Sequence, residues 1–206
     1  MLRKEGRNEV SESTSQPVIH VLTQNEGKFR EFLELSKEHG VVLKQLPSPK
    51  VEVQLRSLED IAVYAASVAL VEWGVPLFVE DAGLFIEALK GFPGPYSSYV
   101  YKTLGVDGIL KLMKDVKNRK AYFKSVIALA IPGEGVRIFT GIVRGSIALE
   151  AQGTGGFGFD PIFIAEGMNK TFAELSISEK NRLSHRGKAF TSMVMWMRTA
   201  FKSRIS

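Results

Sequence analysis

Val18-Ile-His-Val-Leu22 is a short apolar strand that hands over, through the polar turn Thr23-Gln-Asn-Glu-Gly-Lys28, to Phe29, Phe32, Leu33 and Leu35 at helical spacing up to Gly40. A strand feeding a helix in this way packs the helix on a sheet face, which commits the chain to α/β architecture. The alternation continues. Residues 41–46 read as a second strand, broken by Pro47 and Pro49. Ser57 with Asp60 caps a helix carrying Leu58, Ile61, Ala62, Ala65, Val68 and Ala69, with Gly74 just past its end. Residues 76–80 are a buried strand that delivers Asp81 to its C-terminal tip. Pro93 and Pro95 then punctuate a turn before a Tyr-rich helical segment, and Asp107 caps a helix with Ile109, Leu110, Leu112, Met113 and Val116 on its apolar face.

Strands cluster after that. Residues 121–131 and 136–143 are β-rich runs joined by Pro132-Gly-Glu-Gly135, a hairpin signal, and residues 145–150 extend or add a strand. Gly153-Thr-Gly-Gly-Phe-Gly158 is a flexible loop, and residues 161–165 are a short strand. Phe190, Met193, Val194, Met197 and Phe201 mark the apolar face of a final helix. Early alternation followed by a run of strands predicts a mixed sheet flanked by helices, not a purely parallel one. With 206 residues, 45% of them hydrophobic, the chain can bury one substantial core, so a single two-lobed domain over residues 17–206 is expected. Residues 1–16 mix three basic and three acidic residues with Ser, Thr, Gln and Asn, and they read as a disordered extension. No apolar run approaches the roughly eighteen residues of a membrane span and no signal-peptide core is visible, so a cytoplasmic protein is expected.

Zero cysteines exclude disulfides, thiolate metal sites and cysteine nucleophiles, and His20, His39 and His185 lack metal-ligand spacing. Any metal is therefore a hard cation held by oxygen. Positive charge is concentrated at one end: from Lys180 onward there are seven Lys or Arg and no Asp or Glu, against a net +5 for the whole chain. A basic end on a faintly acidic body points to an anionic ligand.

Four clusters can carry chemistry. Thr23, Asn25 and Lys28 lie in the first β-to-α turn, where free N–H groups and the helix dipole make a phosphate seat. It is not a P-loop, because Leu22 and Phe29 stand where that motif has Gly and Ser or Thr. The plainer alternative is a helix cap with a solvated lysine. Glu80 and Asp81, with Glu52 upstream and Glu87 downstream, are costly at the end of an apolar strand unless paired or metal-bound, and Mg²⁺ suits a few carboxylates plus phosphates. An Asp that initiates a turn before Gly83 fits the local sequence equally. Gly153, Gly155 and Gly158 match the dinucleotide fingerprint in spacing only, because Phe159, Asp160 and Pro161 lead into a strand and not a helix. The loop instead brings Phe157 or Phe159 to a base face and Asp160 to a base edge or a structural turn, core packing being the alternative for Phe157. Ser184 caps the last helix, with His185 and Arg186 in its first turn and Lys180 on the preceding loop. Cations there oppose the helix dipole unless a ligand is present, although a solvated basic face accounts for Lys202 and Arg204.

In chain order these clusters resemble the inosine triphosphate (XTP/dITP) pyrophosphatase family. The matching stretches are residues 23–28, Val79-Glu-Asp-Ala-Gly-Leu84, Gly91-Phe-Pro-Gly-Pro-Tyr-Ser97, residues 153–163 from Gly153 to Phe163, and Glu179-Lys-Asn-Arg-Leu-Ser-His-Arg186. The resemblance implies a two-lobed fold with a groove between the lobes, a homodimer, and Mg²⁺-dependent hydrolysis of ITP, dITP or XTP to monophosphate and pyrophosphate. No membrane partner is expected, and no stable nucleic-acid partner, because Glu52, Glu80 and Asp81 would repel a polyanion without a metal. By motif, Thr23, Asn25 and Lys28 correspond to the phosphate-binding turn. Glu52 and Asp81, with Glu80 beside them, correspond to the metal-associated acids, and Asp81 to the general base. Phe157, Phe159, Asp160, Lys180, Ser184, His185 and Arg186 fall in the nucleotide-recognition stretches, with Phe157 stacking on the purine. Three positions depart from the family pattern: Glu80 replaces Asp, Ala82 replaces Ser, and the helix after Ser57 lacks a lysine of bacterial members. Hypoxanthine and xanthine present a 6-oxo acceptor where adenine has an amino donor, so donors from His185 or Arg186 would leave adenine mispaired.

Overall fold

Asn25 starts the first helix. Its backbone is extended and its side chain accepts the Lys28 N–H at 2.9 Å, which converts the polar turn after β1 (Val18–Val21) into α1 (Glu26–Glu38). The computed structural model describes residues 17–202. The expected disordered extension and Arg204 lie outside the described residues, as do the side chains of Phe201 and Lys202. After α1 come β2 (Val42–Gln45), α2 (Leu58–Trp73), β3 (Leu77–Ile86), α3 (Ser97–Thr103), α4 (Gly105–Leu112), β4 (Lys120–Ile131) and β5 (Gly135–Ile147). The chain then passes through β6 (Phe163–Ala165), α5 (Ile177–Leu183) and α6 (His185–Lys202). The six strands form one sheet in the order β2-β1-β3-β4-β5-β6, in which β1 is parallel to both neighbours and the other pairs are antiparallel. This is the mixed sheet expected from helical crossovers early in the chain and a hairpin later.

Three apolar clusters divide the molecule. α2 covers one sheet face with Leu58, Ala62, Ala65 and Ala69 against Leu77, Val79, Val126 and Ala128. α1 and α6 cover the other with Phe32, Leu35, Phe190, Met193 and Val194 against Phe78 and Ile127. A third cluster, around Leu84, Ile86, Phe123, Phe163 and Phe172, surrounds the far halves of the long strands with α4. β3 therefore runs from the clusters around α1, α2 and α6 into the third one, and residues 80–83 lie at the crossing.

Several local expectations are corrected. β3 does not end at Glu80; it runs to Ile86, and Asp81 pairs with Val126 in mid-strand. Gly83 marks a close approach and not a turn: a Cβ there would lie 2.3 Å from the Gly94 carbonyl oxygen, and Ser97 Oγ accepts the next N–H, from Leu84, at 2.8 Å. Asp107 does not cap its helix, which begins two residues earlier at Gly105. Residues 160–162 form a 3₁₀ turn, so the following strand starts at Phe163. Lys180 is not on a loop. Ser176 and Glu179 form a capping box that starts α5 upstream of it. Among the described residues no helix is long and apolar enough to cross a membrane.

Candidate active site

β1 pairs with β3 only at His20 and Val21, so β3 runs on beyond the carboxyl end of its parallel neighbour. Open α/β sheets place their ligands in such a crevice. Thr23, Asn25 and Lys28 reach it from the turn into α1, and Glu80 and Asp81 from β3. The Asn25 side chain accepts the Lys28 N–H, so Asn25 is the cap of the plainer reading, and Thr23 Oγ1 accepts the Asn25 N–H at 3.2 Å. Lys28, however, is not solvated: its Nζ lies 2.7 Å from Glu80 Oε2 and donates to the Glu80 carbonyl at 3.3 Å.

From Lys28 an alternating line of buried charges crosses the molecule. Glu80 Oε1 lies 3.1 Å from Arg186 Nη2, and the same oxygen accepts Ser125 Oγ–H at 2.7 Å. The other Arg186 terminal nitrogen pairs with Glu31, whose second oxygen is 2.7 Å from Lys180 Nζ. Lys180 in turn pairs with Asp160, and Asp160 accepts the Phe157 N–H at 2.8 Å. Three ammonium or guanidinium groups thus meet three carboxyl groups. Burial drives the Glu80 carboxyl up, but Arg186 and Lys28 outweigh it and hold Glu80 well below the usual carboxylate range. Glu31 is lowered in the same way, its burial outweighed by Arg186 and Lys180. At Asp160 burial prevails over Lys180 and the carboxyl is raised. The Arg186 guanidinium is buried, but Glu80 and Glu31 keep it charged. His185 is held well below the ordinary histidine range, first by burial and then by Arg186, and stacks on Phe123 at 4.7 Å. The α6 N-terminus therefore carries a neutral imidazole and a neutralised guanidinium, so the dipole cost expected there is met inside the protein.

Asp81 faces the other way. Strand alternation sends Glu80 toward α1 and α6 and Asp81 toward the α2 side, so neighbouring carboxylates enter different surroundings. Asp81 Oδ2 lies 2.9 Å from Lys50 Nζ, and Glu52 Oε1 lies 3.8 Å from the same ammonium. The Asp81 side chain is 15% exposed and that of Glu52 83% exposed, so the pair opens to solvent. Among the described residues no three His, Cys, Asp or Glu side chains form a cluster that could hold a metal. Two carboxylates that already share a cation nevertheless fit Mg²⁺, which takes one or two carboxylates and completes its shell with water and substrate phosphates.

Phe157 is half-buried. A Cβ on Gly27 would lie 2.5 Å from its ring, and Lys180 and Arg186 sit 4.9 and 5.3 Å from its centroid. Phe159 is instead a core residue, edge-on to Tyr101, because the turn at residues 156–160 sends the two rings in different directions. Ser184 is buried and accepts the Gly187 N–H at 3.0 Å, the expected cap. Arg198 is exposed, as expected of a solvated helix face. Sequence reasoning missed Glu31, Ser125 and Lys50. Glu31 shares the buried face of α1 with Lys28, Phe32 and Leu35, and Ser125 interrupts the apolar run of β4. Lys50 lies in an irregular stretch that carries no such pattern.

Residues 19–196 match the model of the Ham1 family. The dITP/XTP pyrophosphatase of Hyperthermus butylicus is 54% identical over 88% of this chain and 95% of its own length. That of Thermococcus kodakarensis is 51% identical over 88% of this chain and 97% of its own length. A Ham1 protein of Coxiella burnetii superimposes with a TM-score of 0.77 at 31% identity, covering 89% of this chain and 100% of that one. With the family model spanning most of the chain and relatives this similar along their whole lengths, the chain belongs to the Ham1 family.

Proposed function

We propose that this protein hydrolyses dITP, XTP and the related ITP to the nucleoside monophosphate and pyrophosphate, with Mg²⁺ as the metal. The observation that carries the reading is Asp81. It is a carboxylate on β3 at the crevice beyond β1, with Glu52 as its neighbour across Lys50 and the Lys28 turn across the strand. The names of the relatives add the substrate class. Asp81 and Glu52 would hold Mg²⁺, whose chemistry there is charge neutralisation on the phosphates and a lowered pKa for the attacking water. Asp81 would serve as general base, its carboxylate taking a proton from the attacking water. Thr23, Asn25 and Lys28 receive the phosphates at the α1 N-terminus.

At the other end Phe157 stacks on the purine while Asp160, Lys180, His185 and Arg186 define the base edge. Both terminal nitrogens of Arg186 are committed to carboxylates, but its Nε and His185 Nδ1 are buried without a partner. A 6-oxo group gives the Arg186 Nε–H an acceptor that adenine does not, and sites built around such a bond discriminate by roughly four orders of magnitude in good cases. Pyrophosphate release measured side by side from dITP, XTP, GTP, ATP and dTTP tests the assignment. High kcat/KM for the first two is expected, and a preference for dTTP or ATP would overturn it. Under this reading the protein is a cytoplasmic homodimer, with exposed Phe92, Tyr96, Tyr99 and Leu104 as apolar surface for a second copy. Light scattering after gel filtration checks the dimer mass.

A further inference from the structure

We infer that Lys50 is a built-in counter-ion that holds Asp81 and Glu52 together ahead of a divalent cation and moves to the triphosphate when that cation binds. The inference rests on the reading of Asp81 and Glu52 as the ion-binding acids. Three lysines line this part of the molecule, and their partners differ. Lys28 is fixed on Glu80 by two contacts, and Lys124 pairs with Glu59 at the start of α2. Lys50 alone of the three contacts Asp81 and Glu52, at 2.9 and 3.8 Å, and its side chain is only 10% exposed.

The backbone allows an exchange. Lys50 and Glu52 lie in the stretch between β2 and α2 that has no helix or strand, and this stretch is tied to the fold where Trp73 Nε1–H donates to Ser48 Oγ at 3.0 Å. Lys50 is two residues past that tether and swings on a four-carbon stem. One ammonium and one divalent ion cannot both sit on two carboxylates without strong repulsion, so metal arrival expels the ammonium. The expelled charge stays beside the crevice, where the triphosphate is its nearest strong partner. Lys50 thus lowers metal affinity before substrate arrives and raises substrate affinity afterwards.

The probe is Mn²⁺, with free ion read by electron paramagnetic resonance in the absence of nucleotide. Lys50→Met is expected to bind Mn²⁺ roughly tenfold tighter than wild type, because the competing charge is gone. Lys50→Arg keeps the charge and is expected to stay close to wild type. With saturating Mg²⁺, Lys50→Met is expected to raise KM for dITP more than it lowers kcat. Mn²⁺ binding that is unchanged, weaker or undetectable in Lys50→Met overturns the inference, and so does a fall in kcat with KM unmoved. Tighter Mn²⁺ binding in a protein that hydrolyses no triphosphate keeps Lys50 as the counter-ion displaced by the metal, and removes both its transfer to a triphosphate and the hydrolase reading. Hydrolysis with indifferent Mn²⁺ binding does the reverse.

Discussion

Glu80 and Asp81 are consecutive carboxylates on one strand, yet they meet opposite surroundings. Glu80 is wholly enclosed and fixed by Lys28, Arg186 and Ser125, whereas Asp81 lies at a solvent-open crevice against one lysine from an irregular stretch. A buried carboxylate with three fixed partners holds other side chains in place and takes no part in exchange. An open one with an exchangeable partner can accept an ion or a proton. Strand alternation alone puts the two kinds of group one residue apart, so a rigid buried charge network and a solvent-open, exchangeable pair are built on the same few residues.

The contrast breaks if the two carboxylates respond alike to removal of charge. Asp81→Asn is expected to cut kcat for dITP by roughly 10²–10⁴, the usual worth of a general base, with little change in the urea midpoint. Glu80→Gln should instead unfold at lower urea, by about 3–5 kcal/mol, because it leaves Arg186 and Lys28 buried with too little negative charge. Phe157→Ala sharpens the contrast. Loss of a stacking surface is expected to weaken dITP binding by roughly 1–3 kcal/mol, seen in KM, while Mn²⁺ binding at Asp81 is unmoved.

The smallest effect is on pH dependence. The His185 pKa is depressed in the fold, so the unfolded chain takes up the proton first as pH falls below 6.5. Stability contributed by the neutral imidazole is complete above that pH and is lost on acidification down to the folded pKa. His185→Phe should therefore flatten the urea midpoint between pH 6.5 and pH 5 relative to wild type. An equally steep loss in the variant would assign the acid sensitivity to other groups.

Much of the framework was legible because its signals are local. The period of Phe29, Phe32 and Leu35, the Ser57 cap and the Pro132-Gly-Glu-Gly135 hairpin each act within a few residues, and the structure follows them. The continuation of β3 was not legible, since Gly83 reads as a breaker until the Gly94 carbonyl packed against it is seen. Lys180 was readable in principle, because Ser176 and Glu179 have capping-box spacing. The site was half visible. Lys28, Asp160, Lys180 and Arg186 stand out by type and position, but Lys180 and Arg186 are joined inside the protein by Glu31, which lies about 150 residues from both. No local pattern can announce a pairing over that separation. Lys50 was hidden for the opposite reason: its stretch has no period, so nothing in it predicts where the side chain goes.

The most direct test is to identify the products formed from dITP with Mg²⁺, and again after the metal is chelated. Hydrolysis at the crevice described above predicts dIMP and pyrophosphate in equal amounts and no turnover in the chelator. Release of dIDP and orthophosphate, or undiminished turnover without metal, would contradict it.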